Sequence, residues 1–180
     1  VLIRLIRVIR APLKTKEDIM EKEIKVAVLM GSKSDMDVMK ETTDILSQFK
    51  IPYDCKIVSA HRTPDLLDEF IYDALARGAK VFIAGAGCSA HLAGVVASKT
   101  TYPVIGVPLG GSALNGFDSL LSTVQMPGGV PVATVAIGSA GAKNAGLLAI
   151  QILSIADEKL QESLKNDRAK MKEKIDQDNK

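Results

Sequence analysis

A chain of 180 residues and 19.2 kDa has room for one domain with its own hydrophobic core. Hydrophobic residues make up 47% of it and charged residues 24%, proportions that exclude a disordered or low-complexity chain. The net charge is +2, and residues 26–156 are nearly neutral, with 9 basic and 10 acidic side chains. With 4% aromatic residues and no Trp, we expect no nucleic-acid-binding surface, which needs basic patches and stacking rings.

Residues 1–23 predict a poorly packed N-terminal extension. Three arginines interrupt the apolar run at the start, which therefore lacks the unbroken apolar core of a signal peptide, and no stretch is long enough to span a membrane. A basic helix lying on a membrane surface is the less favoured alternative. Cys55 and Cys88 are too few for a disulfide framework, so we expect free thiols and a cytoplasmic protein without a membrane partner.

From residue 24 onward, short apolar runs alternate with amphipathic stretches, the pattern of βαβ units around a mainly parallel sheet. Runs rich in Val or Ile predict five strands, at residues 26–30, 55–58, 81–84, 104–107 and 132–136. Because these runs lack polar alternation, we expect burial on both faces. Helical patterns lie between them, at residues 36–49, 64–77, 90–99 and 117–124. The prediction is an α/β three-layer sandwich with a five-stranded sheet that binds ligands at the carboxyl ends of its strands.

The last helical pattern begins near Ala142 and continues to about Ile175. A single helix of that length measures roughly 50 Å, whereas a compact chain of this size has a radius of gyration of about 16 Å. We therefore expect an α/β domain over residues 24–156 and a long C-terminal helix whose extension, residues 157–180, contacts a neighbouring subunit of a homo-oligomer. A frayed, solvated tail is the alternative, because residues 166–180 are highly charged.

The loop after the first strand, residues 31–35, is rich in small hydroxyl side chains. Backbone N–H groups at a helix start carry partial positive charge, and Ser32 and Ser34 add hydroxyl donors for a phosphate. Asp35 would repel a phosphate, so we expect it either to bind ribose hydroxyls or to cap the helix. The loop has neither a Gly-x-Gly-x-x-Gly nor a Walker pattern, which favours a phosphorylated sugar over a dinucleotide or ATP.

The loop after the second strand contains the strongest candidates for chemistry. Thr63 and Pro64 suit the N-cap and the first position of the following helix. His61 can exchange a proton near neutral pH, and Arg62 can bind a phosphate in forked geometry. Ser59 supplies a further donor. A satisfied structural histidine is the alternative for His61.

The loop after the third strand combines small residues with Cys88 and His91. Ala86 and Gly87 let a flat ligand approach the backbone, whose amide and carbonyl groups can read its polar edge. A metal site or a Cys-His nucleophile is disfavoured, since the chain has two His, two Cys and no zinc-binding spacing. Further Gly-rich segments are expected to form pocket walls or subunit contacts, at residues 108–116 and 125–129.

Ordered motifs along the chain resemble the class I family of 5-(carboxyamino)imidazole ribonucleotide mutases, the PurE family of purine biosynthesis. They are Met30-Gly31-Ser32-Lys33-Ser34-Asp35, Ser59-Ala60-His61-Arg62-Thr63-Pro64, Ala84-Gly85-Ala86-Gly87, Ala90-His91-Leu92, Ser112-Ala113-Leu114, Asp118-Ser119-Leu120, Val124-Gln125-Met126-Pro127, Ala136-Ile137-Gly138 and Asn144-Ala145. They extend over about residues 25–153. Several motifs in a fixed order are far more specific than one glycine pattern.

The resemblance implies transfer of a carboxylate from the exocyclic nitrogen of an aminoimidazole ribonucleotide to a ring carbon, without a metal or other cofactor. It implies that His61 is the general acid and base, and that carbon dioxide is released and recaptured in a small dry chamber. The residues expected to bind the nucleotide are Ser32, Ser34, Asp35, Ser59, Arg62, Ala86, Gly87 and His91. A flavodoxin-like strand order 2-1-3-4-5 and a homo-octamer are also implied.

The chain departs from the family's pattern at several pocket positions. Cys88 stands where Gly is common, Ala93 where Pro is common, and Gly110-Gly111 replaces a more polar pair. These departures leave unchanged the four residues that match family catalytic and substrate-binding positions, which are Ser32, Asp35, His61 and Arg62. We therefore expect the reaction to be retained.

Three rival interpretations stay open. A class II aminoimidazole ribonucleotide carboxylase would use free carbon dioxide, but that class has Lys after the histidine, where this chain has Arg62. A non-catalytic flavodoxin-like module could sense a nucleotide; the low aromatic content disfavours a flavin. A purely structural oligomer would leave the cluster of Ser59, His61 and Arg62 unexplained.

Overall fold

The structure, a computed structural model, describes residues 22–179. Five parallel strands, numbered along the chain, form one sheet in the order 2-1-3-4-5 between two layers of helices, which confirms the predicted α/β sandwich and its strand order. Almost all of the extension expected over residues 1–23 lies outside the described part. The elements in chain order are β1 (Val26–Met30), α1 (Met36–Gln48), β2 (Tyr53–Ile57), α2 (Pro64–Ala76), β3 (Val81–Gly87), α3 (Leu92–Lys99), β4 (Val104–Leu109), α4 (Phe117–Val124), β5 (Ala133–Thr134), α5 (Ser139–Ser154) and α6 (Glu158–Asp178).

The hydrophobic core has two halves, one on each face of the sheet. Leu29 and Phe82 pack in the half beneath α2 and α3, whereas Val28 and Ile83 pack with Ile150 in the half beneath α1 and α5. Successive strand residues point to opposite faces, so each central strand contributes to both halves. Every residue of β1 is buried, as the absence of polar alternation predicted.

The two edge strands differ from the prediction. β2 begins at Tyr53, two residues early, and none of its five residues is fully buried. β5 is reduced to Ala133–Thr134, which pairs with β4 alone. The expectation of burial on both faces is therefore wrong for the edges, because an edge strand has one neighbour and the helices cover the middle of the sheet more completely.

The C-terminal helical pattern forms two helices where we expected one. Asp157 adopts an extended backbone, and its carboxylate accepts a hydrogen bond from the Leu160 N–H at 3.0 Å, which caps α6. The break lets Leu160 and Leu164 pack on the domain's own core. Gln48 of α1 also donates an amide hydrogen bond to Asp167 at 3.0 Å. Within residues 22–179, no helix has both the length and the hydrophobicity to cross a bilayer.

Gly141, in the first turn of α5, packs directly against backbone. A Cβ at this position would lie 1.6 Å from the carbonyl oxygen of Ala136, and a backbone oxygen has little room to move aside. We expect Gly141→Ala to lower the free energy of unfolding by about 2 kcal/mol or more, as overpacked cores do, in a urea titration. Gly128→Ala is the matched control, since nothing lies within 4 Å of its added carbon. Equal stability of the two variants would contradict this packing.

Candidate active site

Loops at the carboxyl ends of β1, β2, β3 and β4 enclose a cavity of about 550 Å³. It lies beside the β1–β3 boundary, where the strand order reverses and α/β sheets bind their ligands. Of the nine residues that the sequence pointed to, eight line this cavity: Ser32, Ser34, Asp35, Ser59, His61, Arg62, Ala86 and Gly87. The ninth, His91, lies outside the lining. The fold therefore brings together side chains from three loops that are far apart in the sequence.

The loop after β1 presents two hydroxyl groups and a carboxylate. The Ser34 hydroxyl lies 3.1 Å from Oγ of Ser32 and 3.4 Å from Oδ1 of Asp35. Asp35 occupies the N-cap position of α1, yet its side chain makes no capping hydrogen bond to that helix. Of the two roles predicted for this carboxylate, helix capping is not adopted. It is left facing the cavity as a hydrogen-bond acceptor.

Burial in the cavity wall raises the pKa of Asp35 above its ordinary value. Hydrogen bonds within the loop and the positive charge of Arg62 act in the opposite direction without outweighing burial. Folding therefore disfavours the ionised carboxylate. The resulting loss of stability is fully present above the raised pKa, and it disappears as the pH falls below the pKa of the unfolded chain.

We expect Asp35→Asn to raise the melting temperature at pH 8 by a few degrees, because the amide removes a charge that folding disfavours. The gain should shrink as the pH falls toward about 4, where an ordinary carboxyl group is itself neutralised. Differential scanning fluorimetry at several pH values measures it. The control is Asp37→Asn, which alters an exposed carboxylate in the first turn of α1 and should bring no gain. A lower melting temperature for Asp35→Asn at pH 8 would contradict the assignment.

The loop after β2 is closed by its own hydrogen bonds. The Thr63 hydroxyl accepts from the Ser59 N–H at 2.9 Å and donates to the Ser59 carbonyl at 3.2 Å. Thr63 occupies the predicted N-cap position and Pro64 begins α2, but the hydroxyl does not cap the helix because it is engaged with Ser59. The closed loop holds His61 and Arg62 in the cavity lining.

Arg62 connects two of the loops. Its Nη2 donates to the Gly31 carbonyl at 3.0 Å, and its Nε lies 3.4 Å from Oγ of Ser59. A guanidinium has five N–H donors, so donors remain for a ligand after these contacts. The side chain is exposed, and its charge lies in the same cavity as the hydroxyl groups of Ser32 and Ser34. This combination of a cation and hydroxyl donors suits a phosphate.

His61 and His91 form a hydrogen-bonded pair. Nε2 of His61 lies 2.8 Å from Nδ1 of His91, and the rings meet edge to face at 84° with their centroids 5.0 Å apart. His91 is the residue that precedes α3. His91, which is predicted to bind substrate, therefore lies directly beside His61. Thirty residues separate the pair in the chain, so no local sequence pattern could reveal the contact.

The loop after β3 supplies the small-residue wall. Cys88 has a φ of 53°, in the left-handed region that glycine adopts most easily. A glycine would adopt this backbone conformation without the strain that a side chain brings. The loop is tied to α4, because the Ala90 N–H donates to Oγ of Ser122 at 3.0 Å. Sequence reasoning missed Ser122, since a serine on an amphipathic helix carries no signal of this contact.

The loop after β4 completes the wall with Gly110 and Gly111. Oγ of Ser112 donates to the Asp118 carboxylate at 2.8 Å, which anchors the loop to α4. The predicted role of this segment as a pocket wall agrees with the structure. The second Gly-rich segment, residues 125–129, does not line the cavity.

A larger cavity of about 950 Å³ lies beside the amino end of β4. Among the described residues that line it, Lys99 is the one with a charge, and none is a histidine, a cysteine or a carboxylate. Size therefore does not identify the site, and we assign it to the smaller cavity, which has a proton carrier, a cation and hydroxyl groups. No group of three or more His, Cys, Asp or Glu side chains is placed to hold a metal ion in the part of the chain from residue 22 to residue 179.

Known proteins are similar to this chain over most of its length. N5-carboxyaminoimidazole ribonucleotide mutase of Bacillus subtilis (strain 168) is 59% identical over 150 residues, 83% of this chain and 93% of the relative. The mutase of the same name from Saccharolobus solfataricus is 59% identical over 141 residues, 78% of this chain and 88% of the relative. The crystal structure of Treponema denticola PurE matches with a TM-score of 0.77 and 32% identity, covering 87% of this chain and 96% of that one.

The family model described as AIR carboxylase matches residues 25–174, which takes in every strand and most of α6. The match continues well beyond residue 153, where the motifs read from the sequence end. The matched range includes every residue that lines the cavity of about 550 Å³. The chain belongs to the AIR carboxylase family.

Proposed function

We propose that this protein is an N5-carboxyaminoimidazole ribonucleotide mutase, an isomerase of purine biosynthesis that acts in the cytoplasm. The observation that carries the proposal is the position of His61, a proton carrier placed in one cavity with Arg62 and Asp35. The names of relatives that are 53–59% identical support the same reaction. The substrate and the product differ in where one carboxylate is attached, so a single proton carrier is sufficient for the chemistry.

The polar part of the cavity suits the ribose phosphate. Arg62 has donors left after its contacts with the loops, and the hydroxyls of Ser32 and Ser34 lie in the same lining. We assign the phosphate to these groups. Asp35, which does not cap α1, accepts hydrogen bonds from the ribose hydroxyls. Ser59, already bonded to Arg62, keeps that guanidinium in place.

The transfer proceeds in two steps that share one proton carrier. His61 donates a proton to the exocyclic nitrogen, the C–N bond to the carboxylate breaks, and carbon dioxide leaves. The electron-rich ring carbon then attacks carbon dioxide, a C–C bond forms, and His61 removes the proton from that carbon. Loss of this proton restores the aromatic imidazole ring of the substrate. His61 ends protonated and is ready for the next cycle. Ala86 and Gly87 line the chamber without polar side chains, which helps to keep water from the carbon dioxide.

The test is to mix the purified protein with freshly prepared N5-carboxyaminoimidazole ribonucleotide, without added ATP or metal, and to follow ultraviolet absorbance of the carbon-carboxylated product. We expect rapid conversion of this substrate and no comparable reaction of aminoimidazole ribonucleotide with bicarbonate. Turnover of the second mixture alone would favour the class II carboxylase. Binding of the nucleotide without any turnover would favour the sensor interpretation.

We further propose that the protein forms a homo-oligomer, with the octamer implied by the resemblance as the expected form. Phe117, Leu121 and Val124 recur on α4 at helical spacing and are 61%, 44% and 46% exposed. Adjacent Leu114 is 64% exposed. An apolar surface of this kind is stabilised when a second copy covers it. The exposed Met171 and Ile175 of α6 support a further contact by residues 157–180.

We expect Phe117→Glu to reduce the mass measured by light scattering after size exclusion, because it places a charge in the apolar α4 surface. Tyr72→Glu is the control, since Tyr72 is a similarly exposed aromatic residue (63%) that lies on α2. The control should keep the wild-type mass. An unchanged mass for Phe117→Glu would remove α4 from the interface.

A further inference from the structure

His61 and His91 are the two histidines of the chain, and they are hydrogen bonded to one another at 2.8 Å through Nε2 and Nδ1. Nδ1 of His61 has no hydrogen-bond partner within residues 22–179. His61 lines the cavity and His91 does not. His61 thus has one nitrogen engaged by its neighbour and one nitrogen free.

The fold fixes the two rings from different elements. The His91 N–H donates to the Ser89 carbonyl at 2.8 Å, and the His91 carbonyl accepts from the Val95 N–H at 2.9 Å. Its backbone is therefore held on both sides at the start of α3. The loop of His61 is closed separately by the hydrogen bonds between Thr63 and Ser59. The distance between the rings is set by the packing of β2 and β3 on either side of β1.

A hydrogen bond between two imidazole nitrogens contains one proton, and its direction decides which nitrogen of His61 is reactive. If Nδ1–H of His91 donates, the lone pair at Nε2 of His61 accepts that hydrogen bond, and the neutral His61 carries its own proton at Nδ1. His61 could then accept no proton at Nδ1, and donation of the Nδ1 proton would leave one of the two rings as an anion. If His91 accepts, the neutral His61 carries its proton at Nε2, and Nδ1 has a lone pair. Of the two arrangements, this one gives a base whose lone pair has no hydrogen-bond partner among the described residues.

We propose that His91 is a positioning residue whose Nδ1 accepts the Nε2–H of His61 and so makes Nδ1 of His61 the nitrogen that exchanges the proton with substrate. The inference rests on the proposed function, since it concerns the same proton carrier. Nδ1 of His61 takes the ring proton of the substrate to give an imidazolium, and it returns that proton to the exocyclic nitrogen in the next cycle. The Nε2–H···Nδ1 bond persists in both states and becomes charge-assisted in the imidazolium. His91 neither gains nor loses a proton.

The direct test is nitrogen NMR of untagged protein grown with histidine that carries ¹⁵N in the ring alone, so that the imidazoles of His61 and His91 are the labelled groups. When both rings are neutral, we expect a protonated Nε2 and an unprotonated Nδ1 on His61, assigned with His91→Asn. The Asn side chain can place an amide oxygen near the position of Nδ1, so it should preserve the tautomer of His61. A proton on Nδ1 of His61 in the wild type would overturn the inference.

Kinetics separate positioning from substrate contact. We expect His91→Ala to lower kcat by about 10- to 100-fold, a typical effect of losing the partner that orients a functional histidine, with KM changed less than about 3-fold. His91→Asn should recover most of kcat. Ser98→Ala is the control and should behave as wild type, because Ser98 lies on the same helix α3 and, within residues 22–179, its hydroxyl donates to the Val95 carbonyl alone.

Three results would overturn the proposal in the kinetic arm: an unchanged kcat in His91→Ala, an equal loss in His91→Asn, or a rise in KM alone, which would make His91 a substrate contact. The NMR arm needs no turnover. If the wild-type protein fails to convert the carboxyamino nucleotide while His61 still shows the expected tautomer, the proposed function fails and the pairing of the two rings stands. If turnover is normal and the tautomer is reversed, the positioning role fails and the proposed function stands.

Discussion

Replacing His61 with asparagine should reduce kcat by about 10³-fold or more, near the upper range for loss of a general acid and base, while changing the dissociation constant for the substrate by less than about 3-fold. The amide is similar in size to the inner part of the imidazole but cannot exchange a proton. The phosphate and ribose contacts assigned to Arg62 and Asp35 are left in place. Turnover by ultraviolet absorbance and binding by isothermal titration calorimetry measure the two effects separately.

The matched control for His61→Asn is Ser59→Ala, which removes a cavity-lining hydroxyl from the same loop and leaves the proton carrier intact. It should lower kcat far less than His61→Asn does. If His61→Asn keeps more than about a tenth of the wild-type kcat, the proton-transfer role of His61 is wrong. If it loses binding and turnover together, His61 is a substrate contact.

Replacing Arg62 with alanine should weaken substrate binding by about 1.5 to 3 kcal/mol, the usual value of a hydrogen bond to a charged group. The guanidinium also donates to the Gly31 carbonyl, so part of the loss could come from the loop itself. A nucleoside without the phosphate separates the two contributions. Removing a phosphate contact should weaken the nucleotide and leave the nucleoside unaffected, whereas a displaced loop should weaken both.

Arg62→Lys gives a second comparison, because it keeps the charge and loses the forked geometry. We expect binding between that of wild type and that of Arg62→Ala. Calorimetric titrations of both variants with nucleotide and nucleoside supply the measurement. Equal affinity of Arg62→Ala and wild type for the nucleotide would remove the phosphate from this residue.

Much of the fold followed from the alternation of apolar runs and amphipathic stretches. β1 and α4 match their predicted ranges, and β3 and β4 begin where they were predicted. The sequence-based error at the C terminus had a recognisable signal, since Asp157 followed by Glu158 is a typical helix start. The continuing apolar pattern obscured it. The shortened edge strands had no such signal, because their burial depends on which helices cover the sheet.

The site was partly predictable for a physical reason. In a parallel sheet the loops that follow the strands meet at one edge, so polar residues in those loops were expected to converge. His61 and Arg62 stood out because neither is needed to start α2. The pairing of His61 with His91 was not predictable, because it depends on the separation of two loops in space. The absence of a capping hydrogen bond from the Asp35 side chain to α1 was likewise not predictable, because it depends on the conformation of the loop.

Isotope labelling tests most directly whether the carboxylate is transferred from nitrogen to carbon within one site. The protein is mixed with substrate labelled with ¹³C in the carboxyamino group, in the presence of excess unlabelled bicarbonate, and the product is observed by ¹³C NMR. We predict that the label appears in the carboxylate on the ring carbon with little dilution. A product carboxylate that takes its carbon mainly from bicarbonate would contradict transfer within the site and would identify a carboxylase that uses free carbon dioxide.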